Sequence, residues 1–150
     1  MRFWFLISLL ALSMSCGPRK TTTVHFISFE DTNRGRALPV HVIPIDDNLR
    51  AGLETMPAEE WFRSDEERTL RGIFKTALTG PQNESAVMTR ANNKNDFLIV
   101  VDYADVVDQD LQKLLLGENY RRAKNVYILV GRDRISVVEK SVFQKYLTSN

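Results

Sequence analysis

Residues 97–103 read FLIVVDY, the most apolar run in the chain beyond its first sixteen residues. Phe97, Ile99, Val101 and Tyr103 alternate onto one face, and Leu98 and Val100 take the other. A strand that is apolar on both faces needs other structure packed against each of them. The segment is therefore predicted to be a central strand, buried on both sides, and the rest of the chain must supply its cover.

Further strand signals flank it. Residues 24–29, VHFISF, combine β-branched and aromatic side chains around His25 and Ser28, and residues 38–45, LPVHVIPI, are the expected partner strand. Pro39 and Pro44 lack amide donors, so either that strand lies at an edge or the prolines mark its ends. Between the two, residues 30–36, EDTNRGR, carry Asn33 and Gly35 and form a strong turn signal, long enough to project from the domain. Residues 126–130, VYILV, and 135–138, ISVV, flank Gly131-Arg132-Asp133-Arg134 and predict a hairpin. Residues 86–89 are compatible with a short strand, residues 72–78 with a helix end or a strand start, and Val142, Phe143, Tyr146 and Leu147 with a terminal strand or a closing helix.

Helical signals concentrate in one excursion over residues 47–71. Asp46-Asp47-Asn48 can cap a helix bearing Leu49, Leu53 and Met56 on one stripe. Pro57 suits a first helical position, and Ser64 with Glu67 matches a capping box, so breaks are expected at Pro57 and Ser64. Val107, Leu111, Leu114 and Leu115 recur at helical spacing up to Gly117, which predicts a short amphipathic helix or an irregular crossover.

The first sixteen residues, MRFWFLISLLALSMSC, stand apart from the fold. Arg2, an apolar run from Phe3 to Leu12 and the small residues Ser13 and Ser15 have the layout of a secretory leader. The run is too short to span a hydrocarbon core, which takes roughly 20 apolar residues. Ser13-Met14-Ser15-Cys16-Gly17 resembles the lipobox of bacterial lipoproteins, although that family prefers leucine where Ser13 stands. The resemblance implies a leader over residues 1–15, cleavage before Cys16, and a diacylated sulfur with an acylated amino terminus. Cys16 is the chain's one cysteine, so it cannot close an intramolecular disulfide, and lipidation accounts for a lone thiol in an exported chain. Several acyl chains hold a protein at a membrane firmly, at about 0.8 kcal/mol per buried methylene. Gly17 stands where aspartate would retain an enteric lipoprotein at the inner membrane, which implies an outer-membrane anchor facing the periplasm. The expected organisation is leader 1–15, lipidated tether 16–23 and a periplasmic domain over 24–150.

Charge and motifs limit the chemistry. Twenty basic residues stand against 19 acids, too balanced for nucleic acid as the main partner. His25 and His41, placed on facing strands if the first hairpin forms, do not make a zinc site without a third ligand. Asp102, Asp105, Asp108 and Asp110 form the densest acidic run, but Val106-Val107 interrupts it and it encloses no glycine to turn a ligand loop. Glycine-flanked serine elbows and phosphate-cradling glycine loops are absent from the sequence, so no enzyme, metal or cofactor is indicated.

The order of these elements resembles the small lipoproteins of type VI secretion systems, the TssJ type. The resemblance rests on LPVHVIPI leading into an insertion, on NDFLIVVDYADV as a central strand, and on ILVGRDRISV as a final hairpin. The excursion around Trp61 and Phe62 is more helical than in that family, and Asp102-Tyr103-Ala104-Asp105 lacks an arginine associated with the matching strand end. The resemblance implies a mainly β fold with small helices, a transthyretin-like two-sheet sandwich with a helical insertion. It also implies a structural role in an envelope-spanning secretion assembly, with the periplasmic part of an inner-membrane subunit as protein partner. The partner-binding loop of that family maps onto Asp31, Thr32, Asn33, Arg34, Gly35 and Arg36. Trp61 and Phe62 are a second contact candidate, since aromatic pairs anchor interfaces, with packing of the helices onto the sheets as the alternative. Two rival functions are a lipid-tethered binding or inhibitor module and a small hydrolase using Asp102 or Glu59.

Overall fold

The computed structural model describes residues 21–90, 95–106 and 108–148. The strands are β1 (Thr21–Ser28), β2 (Leu38–Ile45), β3 (Phe74–Leu78), β4 (Gln82–Thr89), β5 (Asp96–Val101), β6 (Lys113–Leu116), β7 (Asn125–Val130) and β8 (Ile135–Val138). Helices α1 (Asp47–Thr55), α2 (Ala58–Arg63) and α3 (Asp65–Thr69) fill the β2–β3 connection, and α4 (Lys140–Leu147) closes the chain. Two four-stranded sheets result, ordered β4-β1-β7-β8 and β3-β2-β5-β6. In the first sheet β1 runs parallel to β7, while the other pairings in both sheets are antiparallel.

Strand β5 sits inside the second sheet and is buried along its whole length. Its two faces enter two separate cores. Phe97, Ile99 and Val101 meet Val40, Val42 and Leu116 from their own sheet and Val24, Phe26, Met88, Val126 and Ile128 from the other. Leu98 and Val100 join Ile43 and Ile45 on the outer face, where Leu53 of α1 and Ala58 and Trp61 of α2 cover them. The helical excursion is thus the lid that the second face of β5 requires. On the outer face of the first sheet, α4 lays Phe143, 2% exposed, against His25 and Tyr127, with ring centroids 6.3 and 5.2 Å away.

Local signals explain the helix starts. The Asp46 side chain accepts from the amides of Asn48 and Leu49 at 3.0 Å each, and the Ser64 hydroxyl accepts from Glu67 N at 3.1 Å. Pro57 is the residue before α2 and not its first turn. Glu67 does not reach back to complete a capping box; its carboxylate is engaged by Lys75 Nζ at 2.5 Å.

Three expectations are corrected. Strands β1 and β2 do not form a hairpin: the chain crosses between sheets after Ser28, so His25 and His41 lie in different sheets. Strand β2 is internal, paired with β3 and β5, and tolerates Pro39 and Pro44 because each stands one residue from its end. The helical spacing before Gly117 becomes a 3-10 turn, Gln109–Leu111, and the edge strand β6, since pairing of Leu114, Leu115 and Leu116 with β5 outweighs local periodicity. The remaining alternatives resolve to strand at β3 and helix at α4, and β4 extends the short strand expected at 86–89 back to Gln82.

Candidate contact site at the loop end

The crossing from β1 to β2 is compact, a tight turn over Thr32–Gly35 whose backbone is left-handed at Asn33 and Arg34, and not a projecting loop. Thr32 and Asn33 are buried, leaving Asp31, Arg34, Gly35 and Arg36 exposed. The Thr32 hydroxyl accepts from Phe29 N and donates to Val130 O, both at 2.8 Å, tying the turn to the end of β7. Asn33 donates from Nδ2 to Ala37 O at 2.9 Å and accepts at Oδ1 from Ala104 N at 3.0 Å. Asn33, Arg34 and Gly35 all have positive φ, at 48°, 55° and 75°. Left-handed backbone suits glycine and asparagine but costs on the order of 1 kcal/mol at arginine.

Two further loops complete this end. The Tyr103 hydroxyl lies 2.7 Å from Arg134 O and 3.0 Å from Gly131 O, so its proton is shared between carbonyls of the β7–β8 turn. Burial, with a smaller contribution from the Asp133 carboxylate, pushes the phenol above its ordinary range and keeps it a neutral donor. Asp105, just beyond β5, lies 3.2 Å from Arg34 and 3.5 Å from Arg36. These are exposed ion pairs, worth well under about 1 kcal/mol each, and they orient the guanidiniums more than they stabilise the fold. A shallow groove beside them is lined by Phe29, Glu30, Asp31, Arg34, Gly35 and Arg132. The arrangement presents fixed charges and backbone groups at the surface. Among the described residues no cluster of three or more His, Cys, Asp or Glu is arranged to hold a metal ion.

The second candidate lies elsewhere. Trp61 is 1% exposed in the core beneath α2, which leaves it no face for a partner, and Phe62 is half-buried beside it. Trp61 Nε1 donates to His41 Nδ1 at 3.2 Å, and the Phe62 ring lies 4.5 Å from the imidazole. That bond requires His41 to be neutral at Nδ1. Burial lowers the His41 pKa from 6.5 to about 4, against the attraction of Glu67 and with a small push from Lys75. Glu67 is in turn held below the usual carboxylate range, chiefly by the hydrogen bond from Lys75.

Asp102 is half-buried, and its carboxyl is pushed up by burial and then by Glu59, with Arg63 opposing. Glu59 itself pairs with Arg63 at 2.7 Å across one helical turn of α2. Cys16 lies outside the described residues. Nothing local in the sequence marks Asp105 or Tyr103 as parts of this end, because both act through loops brought together only by the two-sheet topology.

No protein-family model matches the sequence, and no characterised protein matches it by sequence. Solved structures do match. The Serratia marcescens Lip, a membrane-bound component of the type VI secretion system, superimposes with a TM-score of 0.64 at 12% identity, over 81% of this chain and 98% of that one. The type VI lipoprotein TssJ1 from Pseudomonas aeruginosa gives 0.62 at 14% identity, over 81% and 96%. The C-terminal domain of the type VI protein TssM from EAEC gives 0.65 at 13% identity, over 80% and 98%. The chain therefore has the TssJ-type fold, a two-sheet β-sandwich carrying small helices.

Proposed function

We propose that this chain is a structural component of a type VI-like secretion or envelope assembly, a lipoprotein held at the outer membrane through acylated Cys16 and facing the periplasm. Its exposed loop end, with Asp31, Arg34, Gly35 and Arg36, contacts a protein partner, the periplasmic part of an inner-membrane subunit. Thr32 and Asn33 shape that loop from beneath, and Trp61 and Phe62 hold the helical lid. The sandwich alone does not separate a lipoprotein from the TssM C-terminal domain, which shares it. The observation that carries the reading is the combination of this fold with an apolar leader ending at Ser13-Met14-Ser15-Cys16.

Two experiments test it. Cells fed a fatty-acid analogue should label the parent chain and leave Cys16→Ala unlabelled; an unlabelled parent refutes the anchor. A photo-crosslinker in place of Arg34 in intact cells should capture an envelope subunit. Capture of soluble periplasmic proteins alone would instead establish the tethered binding module.

A further inference from the structure

The end of the sandwich opposite the contact loops is built differently. Strand β1 begins there at Thr21, and the 120–125 segment is stitched onto it. Thr23 N donates to Lys124 O at 2.8 Å and the Thr22 hydroxyl to Ala123 O at 3.0 Å. Arg90, 1% exposed, donates from Nε to Thr22 Oγ1 at 3.2 Å and from Nη2 to Tyr120 O at 3.1 Å, with its guanidinium 4.2 Å above the Phe97 ring. These bonds fix an open depression lined by Thr21, Thr23, Arg121, Arg122, Lys124 and Asn125, among others.

Its charge is one-sided. Residues 117–125 carry Arg121, Arg122 and Lys124 against a single acid, Glu118. Buried Asp96 is the shared counter-charge of Arg121, which holds it at 2.6 and 3.0 Å, and of Arg50, so the two guanidiniums leave one net positive charge around it and the unpaired cations of this end are Arg122 and Lys124. Arg122 and Lys124 are exposed and form no ion pair among the described residues.

We propose that this end is a docking surface for an anionic membrane, with Arg122 and Lys124 lying against lipid headgroup phosphates and the Thr21 and Thr23 hydroxyls beside them. The inference rests on the anchor reading. Cys16 is five residues before Thr21, so the lipid-bearing residue lies within about 18 Å of the patch even with the chain fully extended. Strand β1 then runs eight residues, roughly 26 Å, from the patch to the turn at Thr32. Docking by this end stands the sandwich upright and turns its contact loops away from the bilayer. Each basic side chain near an anionic surface strengthens attachment about fivefold.

The test uses the full chain as cells process it, in vesicles of phosphatidylcholine with or without phosphatidylglycerol as a third of the lipid. A fluorophore on Asn119→Cys, beside the patch, and separately on Asp133→Cys, in the β7–β8 turn, is exposed to a quencher carried on lipid headgroups. Quenching at position 119 should exceed that at 133 in the anionic vesicles. It should fall toward the level of position 133 in phosphatidylcholine and in Arg122→Gln/Lys124→Gln, for which headgroup contact weakens about 25-fold. Equal quenching at both positions, or quenching unmoved by the double substitution, overturns the proposal. Labelling the parent at Cys16 separates the two readings. A parent that takes the dye has a free sulfur and refutes the anchor; the same comparison of positions 119 and 133 made on a Cys16→Ser background, where the dye has one site, then decides the patch.

Discussion

His41 gives the sharpest quantitative test of how the helical lid is held. The imidazole is 7% exposed, accepts from Trp61 Nε1, and has its pKa lowered by burial from 6.5 to about 4. A histidine held neutral in the folded state binds fewer protons than in the unfolded chain wherever the pH lies between those values. Stability therefore rises with pH across that window, is complete above about 6.5, and is lost as pH falls toward 4. For a folded pKa near 4, the His41 contribution falls by about 2 kcal/mol between about pH 7 and about pH 5.

The assay is urea unfolding of the parent and of His41→Gln at a series of pH values. Glutamine can still accept from Trp61 Nε1 but does not titrate. Differencing the two curves cancels the carboxylates that both proteins share. The parent should lose about 2 kcal/mol more than the variant over that range, and its His41 resonances should titrate well below 6.5 by NMR. Parallel pH profiles, or an imidazole titrating near 6.5, would refute the claim that burial of this ring secures α2 against the sheet.

Other perturbations address the remaining supports. Asp96→Asn leaves Arg50 and Arg121 without their shared counter-charge and should cost about 3 kcal/mol in urea unfolding, the low end for breaking a buried pair, since these side chains keep 32% and 33% of their surface in water; a loss below about 1 kcal/mol refutes the cluster's structural role. Phe143→Ala removes the 2%-exposed anchor of α4 and should cost about 3 kcal/mol, with faster amide exchange in α4 but not β5 under native conditions. Asn33→Ala loses two hydrogen bonds at a φ of 48° and should cost about 2 to 3 kcal/mol; Asn33→Gly, which accepts that backbone, should cost about 1 kcal/mol less. Equal losses for the two would show that the left-handed backbone carries no strain.

The parts of the fold that were legible in the sequence are those whose cause is local. The two-sided apolar alternation of residues 97–101 required cover on both faces, and the structure supplies the opposite sheet on one and the helical lid on the other. Asp46 and Ser64 announced helix starts because a side-chain oxygen can satisfy amides only two or three residues away. Alternation reports which face a residue takes but not which strand lies beside it. Hence the adjacency of VHFISF and LPVHVIPI in sequence suggested a hairpin, whereas β1 pairs in parallel with β7, about a hundred residues on. Leu114 and Leu115 satisfy helical spacing with Leu111 as well as they satisfy an edge strand, and only the free side of β5 decides between the two. At the candidate site the loop's place in the chain was readable and its compactness was not, because Thr32 and Asn33 are held by Val130 and Ala104 from distant segments.

That compactness alters what the contact end can be. A projecting, solvated loop would lose conformational freedom on binding, at about 0.5 to 1.5 kcal/mol for each side chain immobilised and more for the backbone. Here Thr32 and Asn33 fix the turn from within, Tyr103 clasps the β7–β8 turn, and Asp105 already restrains Arg34 and Arg36. The end is pre-organised from three loops, and Arg132 of the third lines the same groove as Arg34. A partner seated there must touch both. Photo-crosslinkers placed separately at Arg34 and Arg132 should therefore capture the same subunit, and Tyr103→Phe, which frees the β7–β8 turn, should reduce capture from Arg132 more than from Arg34. Capture of the partner from Arg34 with none from Arg132 would mean that the single turn, and not the three-loop end, is the contact surface.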